Sequence, residues 1–335
     1  MDSAAQRPVF PGTMKSFHGR LAVVTGGGTG MGRELTTQLA AEGCHVAICD
    51  VSAENMAETK RLAEGVALAG ARITAHVCDV SDERQVLEFR DAVVAEHGTR
   101  SINLLFNNAG IGGGGGFVTG DRAEWERTFN VCWYGVYYCT RAFLALLVAS
   151  DEGCIINTSS VNGFWASLGP SVSHTAYSAA KFAVKGFTEA LITDLRLNAP
   201  HVKAVLVMPG HIGTSILFNS PKVLGKADAL AASAEDVATI RAILVRRGLP
   251  ADAMTDDQLR AAMHQMAVAF RDNAPTSAAQ AATTILEGVR TDTWRVLVGE
   301  DAQALDRLVR EMPELAYEPS FAKTLNDGGH MRLLE

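Results

Sequence analysis

Short apolar, β-rich runs alternate with longer stretches of helical periodicity along the chain up to Pro209. Such alternation is typical of β-α-β units that share one parallel sheet. The apolar runs predict six strands, at residues 21–25, 45–49, 73–77, 102–106, 154–158 and 202–208. The intervening periodicity predicts helices that include residues 31–42, 53–68, 83–97, 123–148 and 175–190. Six strands that are each followed by a helix favour a doubly wound α/β fold.

The pattern changes after Pro209, because no further strand is predicted until a seventh at residues 294–298. Helices are predicted instead at residues 233–247, 255–270 and 276–289, and residues 301–311 are amphipathic. Thr255 and Gln258 have the spacing of a capping box, and Asp82 is a predicted cap for the helix at residues 83–97. The glycine run at residues 112–116 is interpreted as a pliable loop.

Composition narrows the class of protein. With 47% hydrophobic and 20% charged residues, the chain has enough apolar side chains for a sizeable core. A formal net charge of −7 argues against a nucleic-acid partner, which would require a basic surface. Residues 1–16 contain no apolar signal-like segment, and no run reaches the length of a membrane span. We therefore expect a soluble protein with a loose N-terminal tail and no membrane partner.

The cysteines are scattered without C-x-x-C spacing. This pattern suggests neither a metal site nor a disulfide framework, and it fits a reducing cytoplasm. The residues are Cys44, Cys49, Cys78, Cys132, Cys139 and Cys154.

A glycine-rich run, T-G-G-G-T-G-M-G, occupies residues 25–32 between the first predicted strand and the first helix. Gly26, Gly30 and Gly32 permit a tight turn that brings backbone N–H groups close to a pyrophosphate at the helix N-terminus. A flexible loop is the alternative interpretation, but the flanking strand and helix favour dinucleotide binding.

Asp50 ends the second predicted strand, where a carboxylate accepts hydrogen bonds from the hydroxyls of an adenosine ribose. A 2′-phosphate would meet that negative charge, and neither Thr29 nor Val51 offers a compensating cation. NAD is therefore predicted rather than NADP. The alternative is that Asp50 is a solvated turn residue or a helix cap.

Tyr177 and Lys181 are one helical turn apart, on the same face of a predicted helix. A nearby ammonium favours the phenolate and lowers the pKa of a phenol, which makes Tyr177 a candidate general acid and base. Ser160 lies upstream and supplies a hydroxyl. Taken alone, such a Tyr/Lys pair is more often an ordinary surface pair on a helix.

These motifs together resemble the classical short-chain dehydrogenase/reductase family, in the family's own order along the chain. The resemblance covers about residues 18 to 215 and is looser through residue 312. It implies a Rossmann-type fold of about seven strands that binds a nicotinamide dinucleotide and exchanges hydride with an alcohol or a carbonyl. The matching motifs are T-G-x-x-x-G-x-G at 25–32, Asp79-Val80, Asn107-Asn108-Ala109-Gly110, Ser160, Tyr177-x-x-x-Lys181 and Pro209-Gly210-x-Ile212-x-Thr214.

The resemblance also implies residue roles. Tyr177 would be the acid/base, Lys181 would hold the nicotinamide ribose and lower the pKa of Tyr177, and Ser160 would bind the substrate oxygen. Asp79 and Val80 would meet the adenine, and Asn108 to Gly110 would support the adenosine side. The complete predicted cofactor-binding set is Gly26, Gly28, Thr29, Gly30, Met31, Gly32, Asp50, Val51, Asp79, Val80, Asn108, Ala109, Gly110, Thr158, Tyr177, Lys181, Pro209, Gly210, Ile212 and Thr214.

Two features depart from the family pattern. Cys132 stands where the family usually has an asparagine that anchors a water beside the lysine, and it is interpreted as a buried, inert thiol. Asn130 would substitute for that asparagine only if the helix were locally distorted. The segment between Ser160 and Tyr177 is also longer than is common, and the aromatic residues in its loop either touch substrate or pack elsewhere.

We therefore expect an NAD-dependent oxidoreductase that interconverts a secondary alcohol and its ketone. The alternatives are a non-catalytic dinucleotide-binding sensor and an epimerase- or dehydratase-type relative. Residues 215–273 are interpreted as a lid whose apolar side chains either cover a bulky hydrophobic substrate or only pack the lid on the body or on a neighbouring subunit. These side chains are Ile216, Leu217, Phe218, Val223, Leu224, Leu244, Met254, Met263, Met266, Val268 and Phe270. The resemblance implies a homo-oligomer, a dimer or a tetramer, built in part through the apolar helices at residues 130–148 and 177–197. The predicted organisation is a tail (1–16), a dinucleotide-binding and catalytic core (17–214), a helical substrate lid (215–273), a helix-strand-helix completing the core (274–312) and a C-terminal tail (313–335).

Overall fold

The computed structural model describes residues 14–168, 172–246 and 248–327. Most of the predicted N-terminal tail, the end of the predicted C-terminal tail and residues 169–171 of the loop before Tyr177 lie outside these ranges. The strands are β1 Leu21–Thr25, β2 His45–Asp50, β3 Ile73–Val77, β4 Leu104–Asn107, β5 Gly153–Thr158, β6 Val202–Pro209, β7 Ile212–Gly213, β8 Thr276–Ser277 and β9 Arg295–Val298.

Helices follow nearly every strand of the main sheet. They are α1 Gly30–Ala41, α2 Ala53–Val66, α3 Glu83–His97, α4 Arg122–Phe129, α5 Gly135–Val148, α6 Thr175–Asn198, α7 Ile216–Val223, α8 Ala234–Arg246, α9 Asp256–Asp272, α10 Ala278–Arg290, α11 Glu300–Glu311 and α12 Pro319–Asp327. The predicted cap at Asp82 and the predicted capping box of Thr255 and Gln258 are both present.

Parallel strands in the order β3-β2-β1-β4-β5-β6-β9 form the main sheet, which confirms the predicted Rossmann-type fold. Val23 of β1 lies opposite Ala47 of β2 on one side and Leu105 of β4 on the other. The strand order reverses between β1 and β4, and in such sheets a ligand binds beyond the carboxyl ends of the strands at this point. Two-residue strands β7 and β8 pair separately at the base of the lid.

Each face of the sheet is covered by helices. Phe89 of α3 and Phe143 of α5 are in the core on one face, with Leu191 of α6. Leu39 of α1 and Leu286 of α10 are in the core on the other face. Burial of such side chains contributes about 1.5–3 kcal/mol each, relative to exposure.

A predicted continuous helix from 123 to 148 is interrupted. Residues Asn130–Tyr134 form a π-helical segment between α4 and α5. The whole run, Arg122–Val148, has the length and hydropathy of a membrane span, but half of its most apolar window is buried inside the fold. Core helices pass the same test, so the run is weak support for a membrane segment.

The lid, residues 215–273, has a small core of its own. Ala232, Val237 and Leu259 are buried there, and Leu244, Met254 and Met263 pack against them with Ile240. The lid therefore combines α7, which lies on the body of the protein, with an α8–α9 pair that folds largely on itself.

Both predicted tails need correction where they are described. Met14 is only 4% exposed and belongs to the core, because its side chain packs under the sheet. Residues 313–327 are not a tail: Pro313–Leu315 form a 3₁₀ turn, and α12 buries Phe321 and Leu325. Phe321 and Leu325 are four residues apart and therefore lie on the same face of α12. That face packs against Trp165 and Leu305.

Candidate active site

The glycine motif forms the turn that its composition predicts. Gly26 and Gly30 have positive φ angles of +64° and +53°, which side chains rarely adopt. A Cβ on Gly32 would lie 2.1 Å from the carbonyl oxygen of Gly26, so a larger residue there would displace the turn. The backbone consequently reaches the carboxyl end of β1 with its N–H groups at the start of α1.

The neighbouring strand end holds this turn in place. Asn108 Nδ2 donates to the Thr25 carbonyl at 3.1 Å and to the Gly26 carbonyl at 3.3 Å. Ala109 N donates to Thr25 Oγ1 at 3.1 Å. Asn107 lies behind them and is buried, with Nδ2 donating to Asn157 Oδ1 at 2.8 Å. The residues predicted to support the adenosine side therefore act mainly on the glycine turn.

A cavity of about 400 Å³ opens over the glycine turn. Asp50 lies at its edge with both carboxylate oxygens fixed: Oδ2 accepts from Gly28 N and Oδ1 accepts from Ser52 N, each at 3.1 Å. Predicted residues in its lining are Gly26, Thr29, Gly30, Met31, Asp50, Val51, Asp79, Val80, Asn108, Ala109, Gly110 and Thr214. The close-approach turn, the carboxylate and the size of the cavity fit a nicotinamide dinucleotide.

Asp79 is less free to meet an adenine than the resemblance implies. Arg127 Nη2 pairs with its Oδ2 at 2.6 Å, and Ser81 donates to its Oδ1 from both its N–H and its hydroxyl. Burial alone would raise the pKa of Asp79, but these partners outweigh burial and hold the pKa below its usual range. Asp79 therefore lines the cofactor cavity as a carboxylate that is already paired with Arg127.

Ser160, Tyr177 and Lys181 meet at the edge of a second, adjoining cavity of about 440 Å³. Ser160 follows β5, and its Oγ accepts from Asn162 N at 3.1 Å. Lys181 Nζ donates to the Thr158 carbonyl at 2.8 Å and lies 5.4 Å from the centroid of the Tyr177 ring. The Ser160 side chain lies beside the Tyr177 hydroxyl and acts to lower its pKa. The hydroxyl, phenol and amine that the sequence singled out are thus brought together.

The expected lowering of the Tyr177 pKa by Lys181 is not found. Burial raises the pKa of Tyr177 above its ordinary value, and the Ser160 side chain only partly opposes this. Burial also lowers the pKa of Lys181, because a charged amine loses hydration there. In this geometry burial favours the neutral phenol form of Tyr177.

Cys132 occupies the place that the family gives to asparagine. It is fully buried, and its Sγ donates to the Ile111 carbonyl at 3.3 Å. A Cβ on Gly110 would lie 3.5 Å from Lys181 Nζ and 3.8 Å from Cys132 Sγ, so the thiol lies in the same small space as the amine. The helix is distorted here, which is the condition under which Asn130 could take the place of the family's asparagine. The side chain that lies beside Lys181 is nevertheless that of Cys132.

The second cavity has mostly apolar walls. Leu217, Leu224 and Phe270 from the lid line it, as do His174 and Leu168 from the loop before α6. His174 stacks on Tyr177 at 4.7 Å between ring centroids, and burial lowers the pKa of His174 to about 4. A neutral imidazole at physiological pH therefore covers one face of the acid/base.

Only part of the predicted lid surface faces this cavity. Ile216, Leu217, Leu224 and Phe270 line it, whereas Val223 lines the cofactor cavity. Phe218 packs instead on His264 and Arg271, and Met266 is 60% exposed. The loop aromatics also pack elsewhere: Trp165 and Phe164 join a cluster with the C-terminal segment.

Of the remaining predicted residues, Thr158, Pro209, Gly210 and Ile212 line the second cavity, while Gly28 and Gly32 line neither cavity. Sequence reasoning missed Asn219 and Ser220 of α7. Asn219 Nδ2 donates to Thr29 Oγ1 at 3.0 Å, and Ser220 Oγ accepts from Gly112 N at 2.9 Å. They connect the lid to the glycine turn and to the five-glycine loop, and no local pattern distinguishes them from other polar helix residues.

His211, also missed, joins the loop after β6 to α9. Its Nε2 donates to the Phe270 carbonyl at 2.7 Å, and its backbone N donates to Asp301 Oδ2 at 2.6 Å. In the described part of the chain, no group of three or more His, Cys, Asp or Glu residues could hold a metal ion.

This fold and this site define a nicotinamide-dinucleotide oxidoreductase of the Rossmann type. A model of the short chain dehydrogenase family matches residues 20–222, and the chain belongs to that family. Among its relatives, SadH of Mycobacterium tuberculosis is 36% identical over 299 residues, covering 89% of this chain and 93% of SadH.

Two solved structures extend the comparison. A short chain dehydrogenase/reductase from Burkholderia phymatum in complex with NAD has a TM-score of 0.71 and 29% identity, over 91% of this chain and 97% of that one. A metagenomic short-chain oxidoreductase in complex with NADP has a TM-score of 0.51 and 32% identity, over 58% of this chain and 83% of the other. The cofactor class follows from the family, and both dinucleotides occur among its solved members.

Proposed function

We propose that this protein is an NAD-dependent oxidoreductase that interconverts a bulky, hydrophobic secondary alcohol and its ketone. The observation that carries the proposal is the meeting of Tyr177, Ser160 and Lys181 in the wall of a largely apolar cavity that adjoins the cofactor-sized one. When bound, the dinucleotide accepts or supplies the hydride.

Residues of the chain transfer the proton to and from the substrate oxygen. Tyr177 donates its hydroxyl proton to the oxygen of a ketone, and the phenolate takes a proton from an alcohol in the reverse direction. Ser160 accepts from Asn162 N, so its own hydroxyl proton is available to orient the substrate oxygen. Lys181 uses one of its three donors on the Thr158 carbonyl and retains two for the ribose of the cofactor.

Asp50 supports the choice of NAD. Its carboxylate is held at the edge of the cofactor cavity by two backbone N–H groups, and a 2′-phosphate at that edge would be repelled. Arg33, the cation nearest in sequence to the turn, donates to the Gly28 carbonyl at 2.7 Å and to Thr59 Oγ1 at 3.0 Å. It is therefore engaged in holding the turn.

The lining of the second cavity supports a hydrophobic substrate. Glu124 and Lys226 lie at its wall, but they pair with each other at 2.5 Å and leave little free charge there. The lid contributes Leu217, Leu224 and Phe270. A sugar would leave several hydroxyls without partners on these apolar walls, at about 1–3 kcal/mol each, whereas a terpenoid, steroid or aryl carbinol would bury apolar surface.

The test measures kcat/KM for a series of secondary alcohols of increasing apolar size. Turnover is monitored by absorbance at 340 nm, with NAD and with NADP. We expect a rise of about tenfold for each 1.4 kcal/mol of added burial. Leu217→Ala should flatten the series, with Met266→Ala, on the exposed side of the lid, as the matched control. A preference for small polar alcohols would contradict the substrate class, and NAD binding without turnover of any alcohol would favour a sensor.

We also propose that a second copy of the chain covers an aromatic surface on the π-helical segment and on helices α5 and α6. Tyr134, Tyr137 and Phe182 are each about 40% exposed there. Single exposed apolar residues are common on protein surfaces, but a contiguous group of them marks an interaction site. Light scattering should give a dimer or tetramer for the wild type and a smaller species for Phe182→Arg. A monomeric wild type would contradict this proposal.

A further inference from the structure

The C-terminal segment lies against the catalytic side of the protein, far in sequence from the residues it touches. We call residues 313–325 the brace and residues 161–168 the wall loop. The wall loop begins directly after Ser160, and its Val161, Asn162 and Leu168 line the substrate cavity.

Two hydrogen bonds join the brace to the wall loop. Trp165 Nε1 donates to the Ala316 carbonyl at 2.6 Å, and this bond is buried. Ala166 N donates to the Tyr317 hydroxyl at 3.1 Å. Within the described part of the chain, neither the indole nor this backbone N–H has another hydrogen-bond partner, so the brace satisfies both donors.

Apolar packing reinforces the same contact. The Trp165 ring lies 5.7 Å from the Phe321 ring between centroids, and the two side chains are 3% and 1% exposed. Val161, which lines the cavity on one side, belongs to the same apolar cluster as Phe321 and Leu325. One side of the wall loop therefore faces substrate while the other is held by the brace.

Asn162 carries this support to the catalytic serine. Its Nδ2 donates to the Trp165 carbonyl at 3.1 Å and to the Ser167 carbonyl at 3.0 Å, which folds the wall loop on itself. Its backbone N donates to Ser160 Oγ at 3.1 Å. A displacement of Trp165 would thus move Asn162, the hydrogen bond to Ser160 and the cavity wall together.

We propose that Trp165, Tyr317 and Phe321 are positioning residues, through which the brace sets the shape of the substrate wall and thereby the selectivity for bulky substrates. The proposal rests on the active site described above. It does not require contact between the brace and either substrate or cofactor.

Hydrogen exchange of the full chain tests the proposal without any substrate. In Phe321→Ala we expect the amides of residues 162–168 to exchange at least about tenfold faster, with β5 and β6 unchanged, because local opening needs only the wall loop to lose its cover. Lys323→Ala, an exposed neighbour on α12, is the control and should leave exchange as in the wild type. Unchanged exchange in the wall loop would overturn the proposal, as would equal acceleration across β5 and β6.

Tyr317→Phe and Trp165→Phe give the same readout if Phe321→Ala does not fold. Each deletes one hydrogen bond while an aromatic ring remains, and each should accelerate exchange in residues 162–168 by a smaller factor, about twofold to fivefold. No acceleration in either variant would overturn the proposal.

Kinetics then separate positioning from catalysis. For a bulky alcohol, Phe321→Ala should raise KM about fivefold or more and leave the Kd of NAD within about twofold, because the wall loop lines the substrate cavity and not the cofactor cavity. KM for a small alcohol should stay near the wild-type value. A wild type without turnover would remove the proposed function, while the exchange result would still decide the role of the brace.

Discussion

Replacing Tyr177 by phenylalanine removes the transferable proton and little else. The ring stack with His174, at 4.7 Å and 13° between ring planes, does not involve the hydroxyl. The deleted hydroxyl lies beside the Ser160 side chain, and the loss of one hydrogen bond would lower stability by only about 1 kcal/mol. The variant should therefore fold with a slightly lowered Tm.

The expected kinetic loss is much larger. A positioned general acid is worth about 10²–10⁴ in rate, which corresponds to roughly 2.7–5.4 kcal/mol of transition-state stabilisation. NAD affinity should stay within a few-fold of wild type, because Lys181 is fixed by the Thr158 carbonyl independently of Tyr177.

The assay combines kcat from absorbance at 340 nm, NADH binding by fluorescence and Tm by thermal melting. Tyr138→Phe deletes the same hydroxyl from a tyrosine on α5 that lines neither cavity, and it should behave as wild type. Retention of more than about a tenth of wild-type kcat in Tyr177→Phe would refute the assignment of Tyr177 as acid/base.

Three further outcomes are expected. Asp50→Ala should weaken NAD and reduce discrimination against NADP, measured as the ratio of the two Kd values, and a wild type that already prefers NADP would contradict the cofactor assignment. Gly32→Ala should abolish dinucleotide binding and cost about 1–3 kcal/mol of stability, since its Cβ would meet the Gly26 carbonyl, whereas Gly65→Ala, with open space around its Cβ, should be tolerated. Burial lowers the pKa of His97 to about 4, so folding favours its neutral form and stability should fall as pH drops from about 6.5 towards 4; a Tm that is constant over this window would exclude the effect.

The centre of the sheet was predictable because β1, β4, β5 and β6 are buried on both faces and appear as largely apolar runs. The motifs were predictable for a similar reason: Gly32 and Tyr177 serve local geometry, a tight turn and one helical turn, that can be counted along the chain. Helix caps such as Thr255 are equally local, and the structure contains the predicted capping box.

Contacts between distant elements were not predictable. The lid helices were recognised as apolar, but an apolar face does not say what covers it, and Leu244 and Met263 turned out to pack within the lid. The prediction of a C-terminal tail was wrong because Phe321 and Leu325 give only a short apolar pattern whose partner, Trp165, is remote in sequence. The π-helical segment at Asn130–Tyr134 has no sequence signature among the rules for regular helices.

The pairing of Trp165 with Ala316 also has a temporal consequence, since 151 residues separate them. At a synthesis rate of about 5–20 residues per second, roughly 8 to 30 s pass between the two residues on the ribosome. During this interval the strands through Val207 can already form their parallel ladder while the indole and Val161 remain uncovered. A nascent chain at this stage presents an apolar patch beside its future catalytic serine, where a chaperone or a protease has access that the finished fold denies.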